Sequence, residues 1–215
     1  MAKDGNTRMS RRTMMSGGLA VAAGSAAMLV AAGRSDAAPS RTGPYTHAEA
    51  RQDVEYLRRW YGIGTDLLGL RNDPESLKRG RSIYAKVFTP DSQIYLGPHP
   101  IPAGAPPTRV GPDAWADFVE NVYKTVVSTQ HLLGTQIAEI DEMPDGIPGK
   151  GRSKKGHATC ISYLHAWNIS LVGGENKLTI TISIYRDSAK VVPGVGWQIY
   201  HSNLTRVSGE SRVVP

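Results

Sequence analysis

The hydrophobic period of this chain changes once, near residue 127, and that change limits the folds open to it. Before it, apolar residues recur every three or four positions, the spacing that gathers side chains on one face of a helix. Ala50, Val54, Leu57, Tyr61 and Leu68 form one stripe, and Leu77, Ile83, Tyr84, Val87 and Phe88 a second. Trp115, Phe118, Val119, Val122, Tyr123 and Val126 form a third. After the change, apolar and polar residues alternate, as in strands with one covered face. Strand-like runs at 129–140, 158–171, 177–187 and 196–207 are separated by a Pro-, Gly- and Lys-bearing connection at 141–156 and by the Gly173-Gly174 turn. Three helices with an early short strand at 92–96, then four antiparallel strands, predict an α+β fold with the helices on one face of the sheet.

Local signals set the boundaries. Thr46-His-Ala-Glu49 is a capping box that opens the first helix, and Asp73-Pro74-Glu75 places a cap and a first-position proline at the second. Gly62, Gly64 and Gly69 weaken the first helix, which is expected to loosen near Asp66. Thr89-Pro90-Asp91 stops the second helix, and the Pro-rich segment 98–112 reads as a lid or rim loop.

The N-terminus carries Ser10-Arg11-Arg12-Thr13-Met14-Met15, a Gly/Ala-rich apolar run over 17–33, then Arg34 and Ser35-Asp36-Ala37. Paired arginines, a weakly apolar core and a small-residue cleavage site resemble a twin-arginine export signal. The expected organisation is a signal over 1–37, a lead-in over 38–45, one domain over 46–207 and a tail over 208–215. The expected location is the periplasm or the medium, reached through the twin-arginine machinery. Removal of 1–37 halves the formal net charge of +6. Much of the remaining excess lies in Lys150-Gly-Arg152-Ser-Lys154-Lys155, a solvated loop too narrow for a nucleic-acid surface. Cys160 is the only cysteine, so no intramolecular disulfide forms, and its strand-like setting makes it a small core residue.

Strand parity sorts the remaining candidates. Ile161, Tyr163, His165, Trp167 and Ile169 share one face of their strand, and Trp197, Ile199, His201 and Asn203 share one of theirs. Polar groups among aromatics on a curved sheet point to a small-molecule pocket. His131, in Thr129-Gln130-His131-Leu132-Leu133-Gly134, is the foremost acid/base candidate, because its ordinary pKa lets it exchange a proton at neutral pH. Asp187 reads as the start of a turn, and His47, His99, His157 and His201 as surface or loop residues.

Taken in order, Tyr61-Gly-Ile-Gly-Thr-Asp66, Val87-Phe88-Thr89-Pro90-Asp91, Thr129–Gly134, Tyr185-Arg186-Asp187 and Gly196-Trp197-Gln198-Ile199 resemble the SnoaL-like proteins of the nuclear-transport-factor-2-like superfamily. The resemblance implies a cone in which a strongly bent antiparallel sheet wraps three N-terminal helices around a pocket. It also implies dimers or higher oligomers formed through the outer sheet face. By site pattern the chain is most similar to the scytalone-dehydratase and bile-acid-dehydratase branch. That likeness implies Tyr61 and Asp66 from the first helix, His131, and His165 as catalytic groups. Tyr95, Tyr163, Trp167 and Trp115 would contact substrate, with no metal or organic cofactor required. Asp66 lies five residues after Tyr61, roughly 140° around an ideal helix, so both reach one cavity only if the helix bends. Two readings follow: a cofactor-independent dehydratase or isomerase acting on a hydrophobic oxygenated molecule, or a non-catalytic protein holding an apolar ligand in the same pocket.

Overall fold

A computed structural model describes residues 44–70, 73–151 and 153–215. The signal, and all but the last two residues of the lead-in, lie outside the described residues. Thr46 caps helix α1 (His47–Gly69) with a complete capping box, its backbone N–H donating to the Glu49 carboxylate at 2.8 Å. Helix α2 (Pro74–Val87) starts on the Asp73 cap and runs straight into strand β1 (Phe88–Leu96), which is longer than the predicted segment. A two-residue strand β2 (Arg109–Val110) precedes helix α3 (Pro112–Val122). Strands β3 (Val126–Glu142), β4 (His157–Val172), β5 (Glu175–Val192) and β6 (Gly196–Val214) complete the chain.

One six-stranded sheet takes the order β2-β1-β6-β5-β4-β3, antiparallel except where β1 runs beside β6. Register shifts along β3, including one between Gly134 and Gln136, and two between β5 and β6 bend and twist it around the helices. The expected α+β cone is the observed fold.

Three boundaries differ from the sequence reading. The last strand continues to Val214, because the residues assigned to a tail pair with the start of β5, from Thr181↔Gly209 to Asn176↔Val214. Asp187 sits inside β5, not at its end. Helix α1 also continues unbroken past Asp66.

The cone's interior around Tyr61 is filled with rings. Tyr61 stacks on Tyr84 at 5.2 Å and meets Phe88 and Tyr185 edge-on. Among these rings lies Arg58, 1% exposed, held by buried Asp187 and by the Ser202 hydroxyl at 2.9 Å. Its guanidinium carbon lies 3.8 Å from the Tyr185 ring centroid.

Candidate acid-base site

Helix α1 approaches β3 closely because two of its residues have no side chain. A Cβ on Gly62 would fall 2.7 Å from Leu133 Cδ2, and one on Gly69 would fall 2.3 Å from Thr129 Cγ2. Gly62, Asp66 and Gly69 are spaced four and three residues apart, so they share the helix face laid on the strand. The glycines therefore act by permitting contact, not by loosening the helix, and they carry Asp66 to His131.

Strand β3 is an edge strand, and edge amides lack a strand partner. Asp66 Oδ2 accepts the His131 backbone N–H at 3.2 Å, while Asp66 Oδ1 lies 2.7 Å from His131 Nδ1. A carboxylate can only accept here, so Nδ1 carries the hydrogen and the imidazole lone pair is left on Nε2. The Tyr123 hydroxyl, just past α3, donates to that nitrogen at 3.1 Å. The result is an unbroken chain from Asp66 through His131 to Tyr123. The imidazole is nearly enclosed, with the His131 side chain 4% exposed, while the Asp66 side chain is 33% exposed. Burial, then the neighbouring Tyr61 and Asp66, hold the Tyr123 phenol well above its ordinary pKa against the lowering effect of Thr129. It remains a proton donor at neutral pH.

The other predicted residues fall into two groups. Tyr61 and Trp115 are buried inside the cone, Tyr61 close enough to Tyr123 to influence its phenol. Trp115 Nε1 donates to the Tyr61 hydroxyl at 3.3 Å, and Trp115 stacks on Phe118 at 5.1 Å. Helix α1 is unbroken between Tyr61 and Asp66, which keeps them about 140° apart, and no hydrogen bond joins the two among the described residues.

His165, Tyr163 and Trp167 are on the outer face, which corrects their assignment to the pocket. His131 pairs with Ala166 across β3 and β4, while His165 pairs with Leu132, so the two histidines lie on opposite faces of the sheet. His165 Nδ1 accepts from Trp167 Nε1 at 3.4 Å instead. The inward face of β4 is the set Ala158, Cys160, Ser162, Leu164 and Ala166, small enough to lie under the helices and rings. Tyr95 is also turned outward, its hydroxyl donating to Gln93 Oε1 at 3.0 Å and its ring 5.1 Å from that of His201.

Two features escaped the sequence reading. Tyr123 was legible only as part of an apolar stripe. The Arg58–Asp187 pair joins residues 129 positions apart, beyond the reach of local patterning. No group of three or more His, Cys, Asp or Glu among the described residues could hold a metal.

Fold and site together define a small cone-shaped α+β protein with a His–Asp pair at a helix–strand contact. A family model described as the SnoaL-like domain matches residues 81–203, and the chain belongs to that family. The match covers Tyr123 and His131; Asp66 lies before it. The solved structures it resembles include a type 2 hexachlorocyclohexane dehydrochlorinase, 16% identical, with a TM-score of 0.53 over 77% of this chain and 88% of that one. A type 3 enzyme of the same name from Novosphingobium barchaimii is 15% identical, with a TM-score of 0.50 over 77% of this chain and 90% of that one. The Kfla4162 protein from Kribbella flavida is 17% identical, with a TM-score of 0.50 over 76% and 95%. These likenesses are of fold. Comparison with curated proteins finds no match.

Proposed function

We propose that this protein is a cofactor-independent lyase or isomerase that moves a proton on a hydrophobic oxygenated small molecule. The observation that carries the reading is the Asp66–His131–Tyr123 chain, which fixes the imidazole tautomer and aims its lone pair at a proton donor. In a dehydration, His131 Nε2 takes the proton from the carbon beside a carbonyl, and Asp66 stabilises the imidazolium that forms. Tyr123, displaced from Nε2 by the reacting carbon, donates its hydrogen bond to the carbonyl oxygen as negative charge develops there. The β-hydroxyl leaves as water with the proton that His131 returns. In an isomerisation the same proton returns to a different carbon. The lyase class is supported by the dyad and, at the level of fold, by relatives named for removing hydrogen chloride.

A second reading, a non-catalytic ligand-binding protein, is favoured by one observation. Both imidazole nitrogens of His131 already have partners, and the ring is nearly enclosed.

Export through the twin-arginine route belongs to this proposal and rests on residues 10–37. So does a homodimer or higher oligomer formed through the outer sheet face, where Leu132, Tyr163, Trp167, Ile182 and Val207 are exposed.

The deciding experiment captures the native ligand from periplasm or medium by mass spectrometry and returns it to wild type and to His131→Ala. Conversion by wild type alone supports the enzyme; an unchanged ligand with wild type contradicts it.

A further inference from the structure

Strand β5 sends the neighbours Arg186 and Asp187 to opposite faces of the sheet. Asp187 points inward and is committed to Arg58. Arg186 points outward, opposite Ile161 on β4 and Asn203 on β6. Its Nη1 is buried without a hydrogen-bond partner among the described residues. A buried donor left unpaired is unfavourable, the more so when it is charged, so it calls for an acceptor.

Arg186 also lines a cavity of about 300 Å³ on the outer face, shared with His99, Ile101, Ile161, His201 and Asn203. The segment between β1 and β2 covers it. Asn203 Nδ2 donates to the Pro98 carbonyl at 3.2 Å, and Gly97 N–H donates to the Leu204 carbonyl at 3.1 Å, which pins the start of this segment to β6. The ring of His201 is braced against Tyr95.

We infer that this cavity binds a small organic carboxylate with an apolar body, received by Arg186. The lining contains one permanent cation, and its only carboxylate, Asp187, is already paired, so a monoanion balances the site. The fork of a guanidinium matches the two oxygens of a carboxylate. Ile101 and Ile161 accept the apolar body, and the rings of His99 and His201 lie beside it. His131 faces the other side of the sheet, so this site is separate from the acid-base chain.

Benzoate is the probe, with benzamide as its uncharged counterpart, read by calorimetric titration and by ligand-detected NMR. Wild type is expected to bind benzoate saturably and benzamide at least tenfold more weakly, and Arg186→Gln to lose at least tenfold in benzoate affinity. Ile161→Glu keeps the arginine but sets a carboxylate directly across the strands from it, and is expected to abolish benzoate binding even if Arg186→Gln does not fold. The inference is overturned if wild type fails to bind benzoate, if benzamide binds equally, or if either folded variant binds benzoate as wild type does. Benzoate binding that emerges only on dilution to monomer also overturns it, by assigning the guanidinium to a second copy of the chain.

Discussion

Asp66 holds His131 at two points: its Oδ1 lies 2.7 Å from Nδ1, and its Oδ2 accepts the backbone N–H at 3.2 Å. One bond fixes the tautomer and the other fixes the strand position from which the ring projects. A residue held only to complete packing needs neither.

Asp66→Asn preserves shape but can present an amide N–H₂ to Nδ1, which favours the opposite tautomer. Turnover of the captured ligand is expected to fall at least ~10²-fold, with little change in ligand affinity. Tyr123→Phe is expected to cost ~10- to 10³-fold through the lost donor. Steady-state rates check both, and equal loss of binding and turnover would point to a structural role.

Gly69→Ala tests the close approach of α1 and β3. Alanine improves helix propensity by up to ~1 kcal/mol. Its Cβ would nonetheless meet Thr129 Cγ2 at 2.3 Å, and the Thr129 rotamer is fixed by a 2.7 Å hydrogen bond to Asn168 Oδ1. A net loss of ~1–3 kcal/mol is expected in urea denaturation. Gly62→Ala meets only the tip of Leu133, which can turn aside, and is expected to be near neutral.

The helices, the strand-rich second half and the Thr46 cap are all legible in the sequence, because each depends on residues within one or two turns of one another. Facing is not. A period of two sorts Tyr163, His165 and Trp167 onto one side of β4 but cannot say which side is inward. The small set Ala158, Cys160, Ser162, Leu164 and Ala166 settles that only once helices lie on it. The glycines of α1 read locally as weakness, whereas their effect is to admit a strand from elsewhere in the chain.

Arg58 and Asp187 are a buried pair, so removal of one partner leaves an uncompensated charge. Asp187→Asn or Arg58→Met is expected to destabilise by ~3–5 kcal/mol. The double variant should recover part of that loss. Denaturant midpoints of the four proteins form the cycle that checks it.

Alkaline pH is expected to destabilise the fold. Burial, foremost, holds the Tyr84, Tyr123 and Tyr185 phenols above their ordinary pKa of 10.0, and raises the Cys160 thiol from 9.0 to about 11. Above about pH 9 the unfolded chain releases these protons while the folded chain keeps them. The unfolded state then binds fewer protons, and stability falls as pH rises. Melting temperatures between pH 8 and 10.5 should drop steadily. Phenolate absorbance from the buried rings should appear only with unfolding.

The most direct test needs no substrate. Nitrogen-15 NMR of the His131 ring at pH 8 reports which nitrogen carries the hydrogen. The expected result is a protonated Nδ1 and an unprotonated Nε2 in wild type, changing to the opposite or a mixed tautomer in Asp66→Asn. A wild-type ring protonated at Nε2, or one indifferent to Asp66→Asn, would contradict an Asp66-oriented base at the centre of this protein.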